Sequence, residues 1–200
     1  MKRTEQKQRD IVQAAVEEFR LHGFEGARTT RIAESAGVSS RTLYKHFPSK
    51  EKLFDAIIEK VVLQTGAIPS RHYEDGRPLK PQLVEALTLY MNAITDEEYM
   101  GLNRVMMSEY LRDRELALRV FERSEMHNNP IRTLINEAIE AGVLREVDAD
   151  YATVQLTASM KAFFFWPKFI IGQEAPDNGE AIIEDCVEMF LNYYQNPSNS

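Results

Sequence analysis

The segment that decides the fold is "VSSRTLYKHFPSKEKL", residues 38–53, which directly follows a glycine at position 37. Leu43 and Phe47 are spaced four apart, so on a helix they lie on one face. Most other side chains between Ser40 and His46 are hydrogen-bond donors. The pattern predicts a short helix from about Ser40 to Phe47 with two buried anchors and a polar, basic face in solvent.

The residues before this helix predict a tight turn and a second short helix. Gly37 permits positive φ, Val38 fills the angle between two helices, and the Ser39 hydroxyl can cap the helix that follows. The preceding helix is expected from about Thr30 to Ala36, with Thr29 or Thr30 as its cap. Two helices joined in this way form a helix-turn-helix, whose second helix fits the major groove of DNA with its N-terminal part against base edges.

A longer helix is expected before this pair, from about Glu5 to His22. Gly23 is expected to end it in a left-handed conformation, and Phe24 can then pack back on Phe19.

The segment after the polar helix predicts a contact with a phosphate. Pro48 closes the polar helix, and Ser49 caps a fourth helix that begins at Lys50. The free amide groups at that N-terminus, together with the ammonium of Lys50, suit a backbone phosphate.

The net charge of −7 hides an asymmetry along the chain. Residues 1–60 contain 12 Lys and Arg against 9 Asp and Glu, whereas the remaining 140 residues contain 12 against 22. Since binding depends on the local charge that meets the phosphates, only the first part favours a polyanion.

Length and composition are those of a soluble globular protein of one or two domains, with 200 residues, 44% hydrophobic and 28% charged. The single Cys186 excludes a disulfide framework within one chain and fits a reducing compartment. The first 20 residues are too charged for a secretory signal, and Lys161 and Lys168 interrupt the longest apolar stretch. We therefore expect a cytoplasmic protein.

Catalytic patterns are absent from the sequence. The four histidines show neither the spacing nor the carboxylate partners of a metal site, and one cysteine offers no thiolate cluster. No nucleophile elbow or phosphate-binding loop occurs either. We expect no enzyme activity, no metal and no cofactor.

Apolar residues recur at i, i+3 and i+4 along the whole chain, and period-2 alternation is nearly absent, which predicts an all-α fold. We expect a helix-turn-helix DNA-binding domain in residues 1–60 and a helical regulatory and dimerisation domain in residues 61–200. Residues 64–81, "QTGAIPSRHYEDGRPLKP", lose the periodicity and predict a loop. A long helical pattern from about Glu115 to Ala141 contains Pro130, which predicts a kink or a break.

The stretch "IVQAAVEEFRLHGFEGARTTRIAESAGVSSRTLYKHFPSKEKLFDAII" closely resembles the DNA-binding domain of the TetR (tetracycline-repressor) family of one-component bacterial regulators. The similarity covers about residues 9–58. It rests on the Ala-Ala pair, the Gly-Phe ending, the Ile-Ala…Ala-Gly-Val-Ser turn, the Leu-Tyr…His-Phe segment and the Ser-Lys-Glu cap, which occur together and in order. The resemblance implies an N-terminal three-helix DNA-binding domain followed by a helical ligand-binding and dimerisation domain.

The resemblance also implies which side chains meet DNA. Phosphate contacts fall on Thr29 or Thr30, Tyr44, His46 and Lys50; base-edge contacts fall on Arg41, Thr42 and Lys45, with Ser40 beside them on the exposed face. Arg41 is favoured for guanine, because its fork can address O6 and N7 together, which is worth about 1–3 kcal/mol of discrimination. The alternative for Tyr44 and His46 is a role in stabilising the turn.

Two late segments, residues 148–172 and 179–195, are apolar over more of their surface than one core can cover. Asp148 is expected to cap the first of them. A symmetric homodimer would cover the remaining apolar surface, because two such helices from each chain form a four-helix interface. The predicted dimerisation residues are Ile183, Val187, Phe190, Leu191 and Tyr194. The dimer sets two recognition helices about 34–36 Å apart and predicts an inverted-repeat operator.

Methionine and aromatic residues in the second part predict an adaptable apolar cavity if they converge. They are Tyr90, Met91, Tyr99, Met106, Met107, Tyr110, Met126, His127, Phe163 and Trp166. For each of them the alternative is an ordinary core position. The sequence thus predicts a ligand-responsive regulator, a repressor released by a small, largely apolar effector. The alternative is a structural or cell-cycle DNA-binding protein of the same fold without an effector.

Overall fold

The computed structural model describes residues 3–123 and 129–197, apart from the side chains of Arg3 and of residues 119–123. The described residues form helices and no strand, with one isolated antiparallel bridge between Leu144 and Gln195. The all-α prediction is confirmed. The helices are α1 (Arg3–Gly26), α2 (Thr29–Ser35), α3 (Ser40–His46), α4 (Lys50–Gly66), α5 (Leu79–Ile94), α6 (Glu97–Tyr110), α7 (Arg114–Arg123), α8 (Pro130–Glu140), α9 (Ala149–Phe163), α10 (Phe165–Ile171) and α11 (Gly179–Tyr194).

These helices form two compact units. The first unit contains α1 to α4 together with α6 and α7, and the second contains α5 and α8 to α11. The two units are defined by contacts between helices. They therefore do not test the expected end of the DNA-binding domain at residue 60, which stays a prediction. None of the described helices is both long and apolar enough to cross a membrane.

The core of the first unit is built around α1, which packs against α2 and α6. Ile11, Ala15 and Phe19 are fully or almost fully buried along one face of α1, as their spacing predicts. Phe24 packs on Phe19 with 5.5 Å between ring centroids, so that predicted contact is confirmed. Phe54 of α4 closes the aromatic group at 5.4 Å from Phe24. This group packs the first part of α4 against the end of α1.

Gly23 interrupts α1 rather than ending it. Its φ of 66° is positive, as expected, but its ψ is 171°, and a further helical turn runs to Gly26. Side chains other than hydrogen strain this backbone conformation. The kink lets Phe24 turn back onto the core while the chain continues towards α2.

Proline sets two helix boundaries in the rest of the chain. Pro130 lies in the first turn of α8, where its missing N–H is harmless, and Asn129 caps that helix by accepting from the amide of Ile131 at 3.0 Å. The apolar segment after Asp148 is split at Phe164 into α9 and α10. Pro167 has no N–H to donate to the carbonyl of residue 163, which accounts for the break.

The second unit packs α5 against α8 and α11, and α9 against α8, α10 and α11. Leu83, Leu134, Leu156 and Val187 are among its buried residues. The expected cap of α9 is confirmed, since the carboxylate of Asp148 accepts from two backbone amides at the start of the helix, at 2.8 and 3.2 Å.

Candidate nucleic-acid interface

The turn between α2 and α3 has the predicted geometry. Gly37 has φ 63°, and the amide of Val38 donates to the carbonyl of Ala33 at 2.9 Å. The hydroxyl of Ser39 accepts from the amide of Thr42 at 3.1 Å and caps α3. With Leu43 and Phe47 both buried, α3 is held by its apolar face, and its opposite face is left to solvent. The helix-turn-helix prediction is therefore confirmed.

The start of α2 is stabilised differently from the expectation. Neither Thr29 nor Thr30 caps it: the N-cap residue is Arg28, and its side chain makes no capping bond. The carboxylate of Glu18 on α1 instead accepts from the amide of Arg28 at 3.0 Å and pairs with Arg31 at 3.3 Å. Glu18 is buried, and its negative charge is favourable at a helix N-terminus. Sequence patterns missed it because capping rules consider only neighbouring residues.

The exposed face of α3 carries the side chains predicted to read bases. Ser40, Arg41 and Lys45 are exposed, and neither Arg41 nor Lys45 forms a hydrogen bond or ion pair with any residue the structure describes. Both cations can therefore reach a ligand without breaking a contact. Thr42 is half-buried, and its hydroxyl lies 2.9 Å from that of Ser39, so part of its hydrogen-bonding capacity serves the turn.

Tyr44 links α3 to the start of α2. Its hydroxyl lies 2.9 Å from the hydroxyl of Thr29, while its ring remains half-exposed. The contact supports the domain-stabilising alternative, and the hydroxyl that accepts in this pair keeps its own O–H to donate to a phosphate. His46 is half-buried, with its ring 6.4 Å from that of Phe47, and Thr30 is exposed. Phosphate contacts by these residues stay predictions.

Lys50 occupies the start of α4 as predicted, but its ammonium already has partners. It lies 3.3 Å from the carbonyl oxygen of Glu25 and 4.5 Å from the ring centroid of Phe24. The Ser49 hydroxyl accepts from the amide of Lys52 at 3.3 Å, which confirms the predicted cap. A hydrogen bond with Ser49 is the main reason that the pKa of the neighbouring carboxyl of Glu51 is lowered. Lys50 therefore has a structural role whether or not it meets a phosphate.

The residues predicted to line a ligand cavity are divided between the two units. Tyr90 and Met91 are buried on α5, whereas Phe163 and Trp166 of the same unit are 47% and 42% exposed. Tyr99, Met106, Met107 and Tyr110 lie on α6 in the first unit; Met126 and His127 lie outside the described residues. Burial raises the pKa of Tyr90 and of Tyr110 to about 12, so both phenols stay neutral at physiological pH.

The residues predicted for dimerisation are buried within their own unit: Ile183, Val187, Phe190, Leu191 and Tyr194. Other apolar side chains of α9 and α11 remain in solvent. Met189 and Tyr193 are each 62% exposed, and Tyr151 and Val154 are exposed as well. A groove of about 540 Å³ lies between these helices, lined in part by Leu156, Met189 and Tyr193. We call this surface the α9–α11 face. The apolar periodicity in the sequence pointed to α9 and α11. It did not distinguish the side chains that are buried inside the unit, such as Phe190, from those that remain exposed, such as Tyr193.

Comparison with known proteins agrees with this architecture. Residues 11–57 match the family described as bacterial regulatory proteins, tetR family, and residues 81–196 match the C-terminal domain of AefR-like transcriptional repressors. The chain is 31% identical to the nucleoid occlusion factor SlmA of Aliivibrio fischeri (strain MJ11) over 163 residues, 78% of this chain and 80% of SlmA. It is 28% identical to the HTH-type transcriptional regulator RutR of Escherichia coli O157:H7 over 165 residues, 78% of this chain and 73% of RutR.

A solved structure supports the same assignment. A TetR family transcriptional regulator from Pseudomonas syringae pv. tomato str. DC3000 shares 34% identity and a TM-score of 0.83, over 96% of this chain and 98% of that chain. Together with the helix-turn-helix geometry of α2 and α3, these matches show that the chain belongs to the TetR family and is a DNA-binding transcription regulator.

Proposed function

We propose that this protein is a ligand-responsive repressor that binds an inverted-repeat operator as a homodimer and is released by a small apolar effector. The observation that carries the DNA-binding part is the orientation of α3. Leu43 and Phe47 hold its apolar face, while Arg41 and Lys45 extend from the other face without partners among the described residues. A helix held in this way can present its donors to base edges in the major groove.

The homodimer is supported by the α9–α11 face. Met189 and Tyr193 place large apolar side chains in water on the same helix that buries Phe190 and Tyr194. Contiguous exposed apolar surface marks interaction sites. A second copy of the same face covers it most simply, because a two-fold axis pairs α9 and α11 with themselves. Each dimer then carries two reading helices, and its operator contains two half-sites in opposite orientation.

The effector is supported by composition and by the environment of the tyrosines. Tyr90 is buried on α5 with the ammonium of Lys161 5.9 Å from its ring centroid, and Met91 beside it offers an adaptable apolar surface. An effector bound among such residues releases DNA only if it prefers the conformation that does not fit the operator.

Selection of bound sequences from a random DNA pool tests the repressor proposal. An inverted repeat is expected, and a reporter placed under the selected operator is expected to be silenced by the protein. Apolar compounds are then screened for release of the operator, with Trp166 fluorescence as a second readout, since the chain has one tryptophan. An operator without symmetry contradicts the dimeric reading, and activation of the reporter contradicts repression.

A structural or cell-cycle role without an effector is the second candidate, and the similarity to SlmA, a nucleoid occlusion factor, favours it. Mapping of all bound sites in the chromosome separates the two. A repressor occupies a few sites next to promoters, whereas a structural DNA-binding protein occupies many dispersed sites. Compounds that release DNA from the protein argue against the second candidate.

A further inference from the structure

Glu18 is a buried carboxylate at a position where the periodicity of α1 predicts an apolar side chain. The buried face of this helix includes Ile11, Ala14 and Ala15, and residue 18 follows them at the same helical spacing. The side chain of Glu18 is only 9% exposed. A buried carboxylate costs free energy, and an apolar residue of similar volume often gives the more stable fold. Packing of α1 therefore does not account for this glutamate.

The partners of Glu18 tie α1 to α2 at two points. The first point is the backbone amide of Arg28, which donates to Oε1 of Glu18 at 3.0 Å. The second point is the guanidinium of Arg31, whose Nη1 lies 3.3 Å from the same oxygen. These two residues are three positions apart, so both contacts lie on one side of α2. Two attachments on one side of a short helix fix its rotation about its own axis as well as its place.

His22 completes the attachment of Arg31. Its Nε2 lies 2.9 Å from Nη1 of Arg31 and 3.6 Å from Oε2 of Glu18. A guanidinium has no acceptor, so Arg31 donates and the imidazole nitrogen accepts. The guanidinium is therefore held by two residues of α1 that lie one turn apart. Hydrogen bonds of this kind depend on direction, whereas apolar contacts between helices tolerate small rotations.

The sequence at the start of α2 makes an acceptor from another helix necessary. In a capping box, a glutamate at the third helical position reaches back to the amide of the N-cap residue. In α2 the N-cap residue is Arg28 and the third helical position is Arg31, and an arginine side chain only donates. Glu18 accepts the N-cap amide in place of the missing glutamate.

The attachment continues to α3 through Thr29, which lies between the two tied residues of α2. The hydroxyl of Thr29 is 2.9 Å from the hydroxyl of Tyr44 on α3. A rotation of α2 about its axis moves the Thr29 hydroxyl away from Tyr44 and removes a contact that orients this half-exposed phenol. Polar contacts thus run from α1 through α2 to a side chain that is predicted to meet a phosphate.

We propose that Glu18 is a positioning residue of the DNA-binding surface. It sets the rotation of α2 against α1 and, through Thr29, the placement of the Tyr44 hydroxyl, and it acts without touching DNA itself. The proposal rests on the DNA-binding function of the family and on the first unit alone. It does not depend on the proposed homodimer, on an effector or on the sign of regulation.

Glu18→Leu separates positioning from stability. Leucine suits the apolar face of α1, and the side chain of Arg31, which is 42% exposed, can turn into water. The Tm is therefore expected to stay within a few degrees of the wild type. DNA affinity, titrated well below the Tm, is expected to fall about tenfold or more, the effect of one lost charge-assisted hydrogen bond. The loss is expected on the selected operator and on random duplex DNA alike, because a phosphate contact carries no sequence information.

Glu17→Leu is the matched control. Glu17 precedes Glu18 on the exposed side of α1, and the substitution removes the same charge. Loss of a negative charge from a DNA-binding domain favours the polyanion, so this variant is expected to bind DNA as well as the wild type or slightly better. A loss of affinity in Glu18→Leu alone then cannot result from net charge.

Glu18→Gln takes over if the leucine variant does not fold. Its amide oxygen can still accept from the backbone of Arg28, but the charge beside Arg31 is lost. A smaller loss of DNA affinity is expected, about threefold, with Glu17→Gln as the control.

A cycle of variants with Tyr44→Phe tests the route to α3. Tyr44→Phe removes the hydroxyl that contacts Thr29 and is expected to weaken DNA binding. If Glu18 acts through this hydroxyl, Glu18→Leu combined with Tyr44→Phe loses less affinity than the two single losses added together. Additive losses, or a Tyr44→Phe variant that binds as well as the wild type, overturn this route.

Two outcomes overturn the proposal as a whole. The first is equal DNA affinity of Glu18→Leu and Glu17→Leu, both folded. The second is a loss of affinity that matches the unfolded fraction at the temperature of the titration, which assigns Glu18 to stability alone. All affinities are ratios to the wild type on one duplex, so an operator without symmetry contradicts the homodimer and not this proposal.

Discussion

The α3 helix and the α9–α11 face are both amphipathic surfaces, and their outer sides differ in chemistry. On α3 the outer side is polar and basic, with Arg41 and Lys45 in solvent. On α11 the outer side includes Met189 and Tyr193, which water solvates poorly. A solvated basic face can remain free until it meets a polyanion, whereas an exposed apolar face is more stable when another protein surface covers it. The chemistry of the helix side that stays exposed after folding therefore indicates which kind of partner binds there.

The strongest test of this contrast is to place a charge on the α9–α11 face. Tyr193→Asp combined with Met189→Asp is expected to give a monomer, because two carboxylates would face their own copies across the two-fold axis. Loss of bivalent binding then lowers operator affinity by about 100-fold or more. Sedimentation and operator titration measure the two effects.

Thr88→Asp is a control that adds a carboxylate outside the face, since Thr88 is exposed on α5. Met189 and Tyr193 are preferred to the buried Phe190, whose replacement would damage the fold of the monomer itself. A dimer that survives both aspartates contradicts the assigned interface.

The next largest effect is expected from Arg41→Ala on the polar surface. Loss of a bidentate contact with guanine costs about 1–3 kcal/mol, which lowers operator affinity about 5- to 150-fold and relaxes the preference at one base pair. Titration against operators that differ at single positions measures this. A uniform loss over all sequences, random DNA included, would show that Arg41 contacts phosphate instead.

Lys50→Ala is expected to have a smaller and sequence-independent effect on DNA binding. The salt slope should fall by about one unit if the ammonium neutralises a phosphate. Because the ammonium also lies over Phe24 and near the carbonyl oxygen of Glu25, the variant should lose about 0.5–1 kcal/mol of stability. Lys50→Arg is the control that keeps the charge. An unchanged salt slope with a lowered Tm assigns Lys50 to structure alone.

The smallest effect concerns a polar contact that belongs to neither surface. Nδ1 of His72 and the amide of Tyr73 contact the carboxylate of Glu137, both at 2.7 Å, and the hydrogen bond with His72 is the main reason that the pKa of Glu137 is lowered. A lowered folded-state pKa contributes stability above the unfolded value, and this stability is lost as the pH falls through the folded value.

Glu137→Gln is therefore expected to be less stable than the wild type at pH 7 by under about 1 kcal/mol, because the site is partly exposed. The difference should close as the pH falls below 4.5, the ordinary value for this carboxyl. Urea unfolding at a series of pH values between 7 and 3 measures it. A difference that stays constant across this range would assign the effect to packing rather than to charge.

Local rules in the sequence predicted the helix-turn-helix well. Gly37, Ser39 and Leu43 act on their immediate neighbours through a positive φ, a cap and a four-residue spacing, so their roles could be inferred without a tertiary structure. The same holds for Asp148 at the start of α9 and for Pro130 at the start of α8. The resemblance to the TetR family rested on short-range features within residues 9–58 and was confirmed.

Contacts between distant residues escaped the sequence analysis. Glu18 stabilises the start of α2 from ten residues away, and Glu109 accepts an amide from Phe24 at a separation of 85 residues. The placement of α6 with the N-terminal helices has the same origin, and it divided the predicted ligand residues between two units. Periodicity reports which side of a helix is apolar, but not which helix covers it.

The residue order alone was sufficient for the all-α class, the helix-turn-helix and the cations on the exposed face of α3, because turns, caps and helical periodicity depend on residues a few positions apart. Only the folded chain revealed that Phe190 is internal while Tyr193 is exposed, that Lys50 rests on Phe24, and that Glu18 supports the start of α2. These features depend on how helices pack, and packing is selected by the shape and burial of the whole unit rather than by any local pattern.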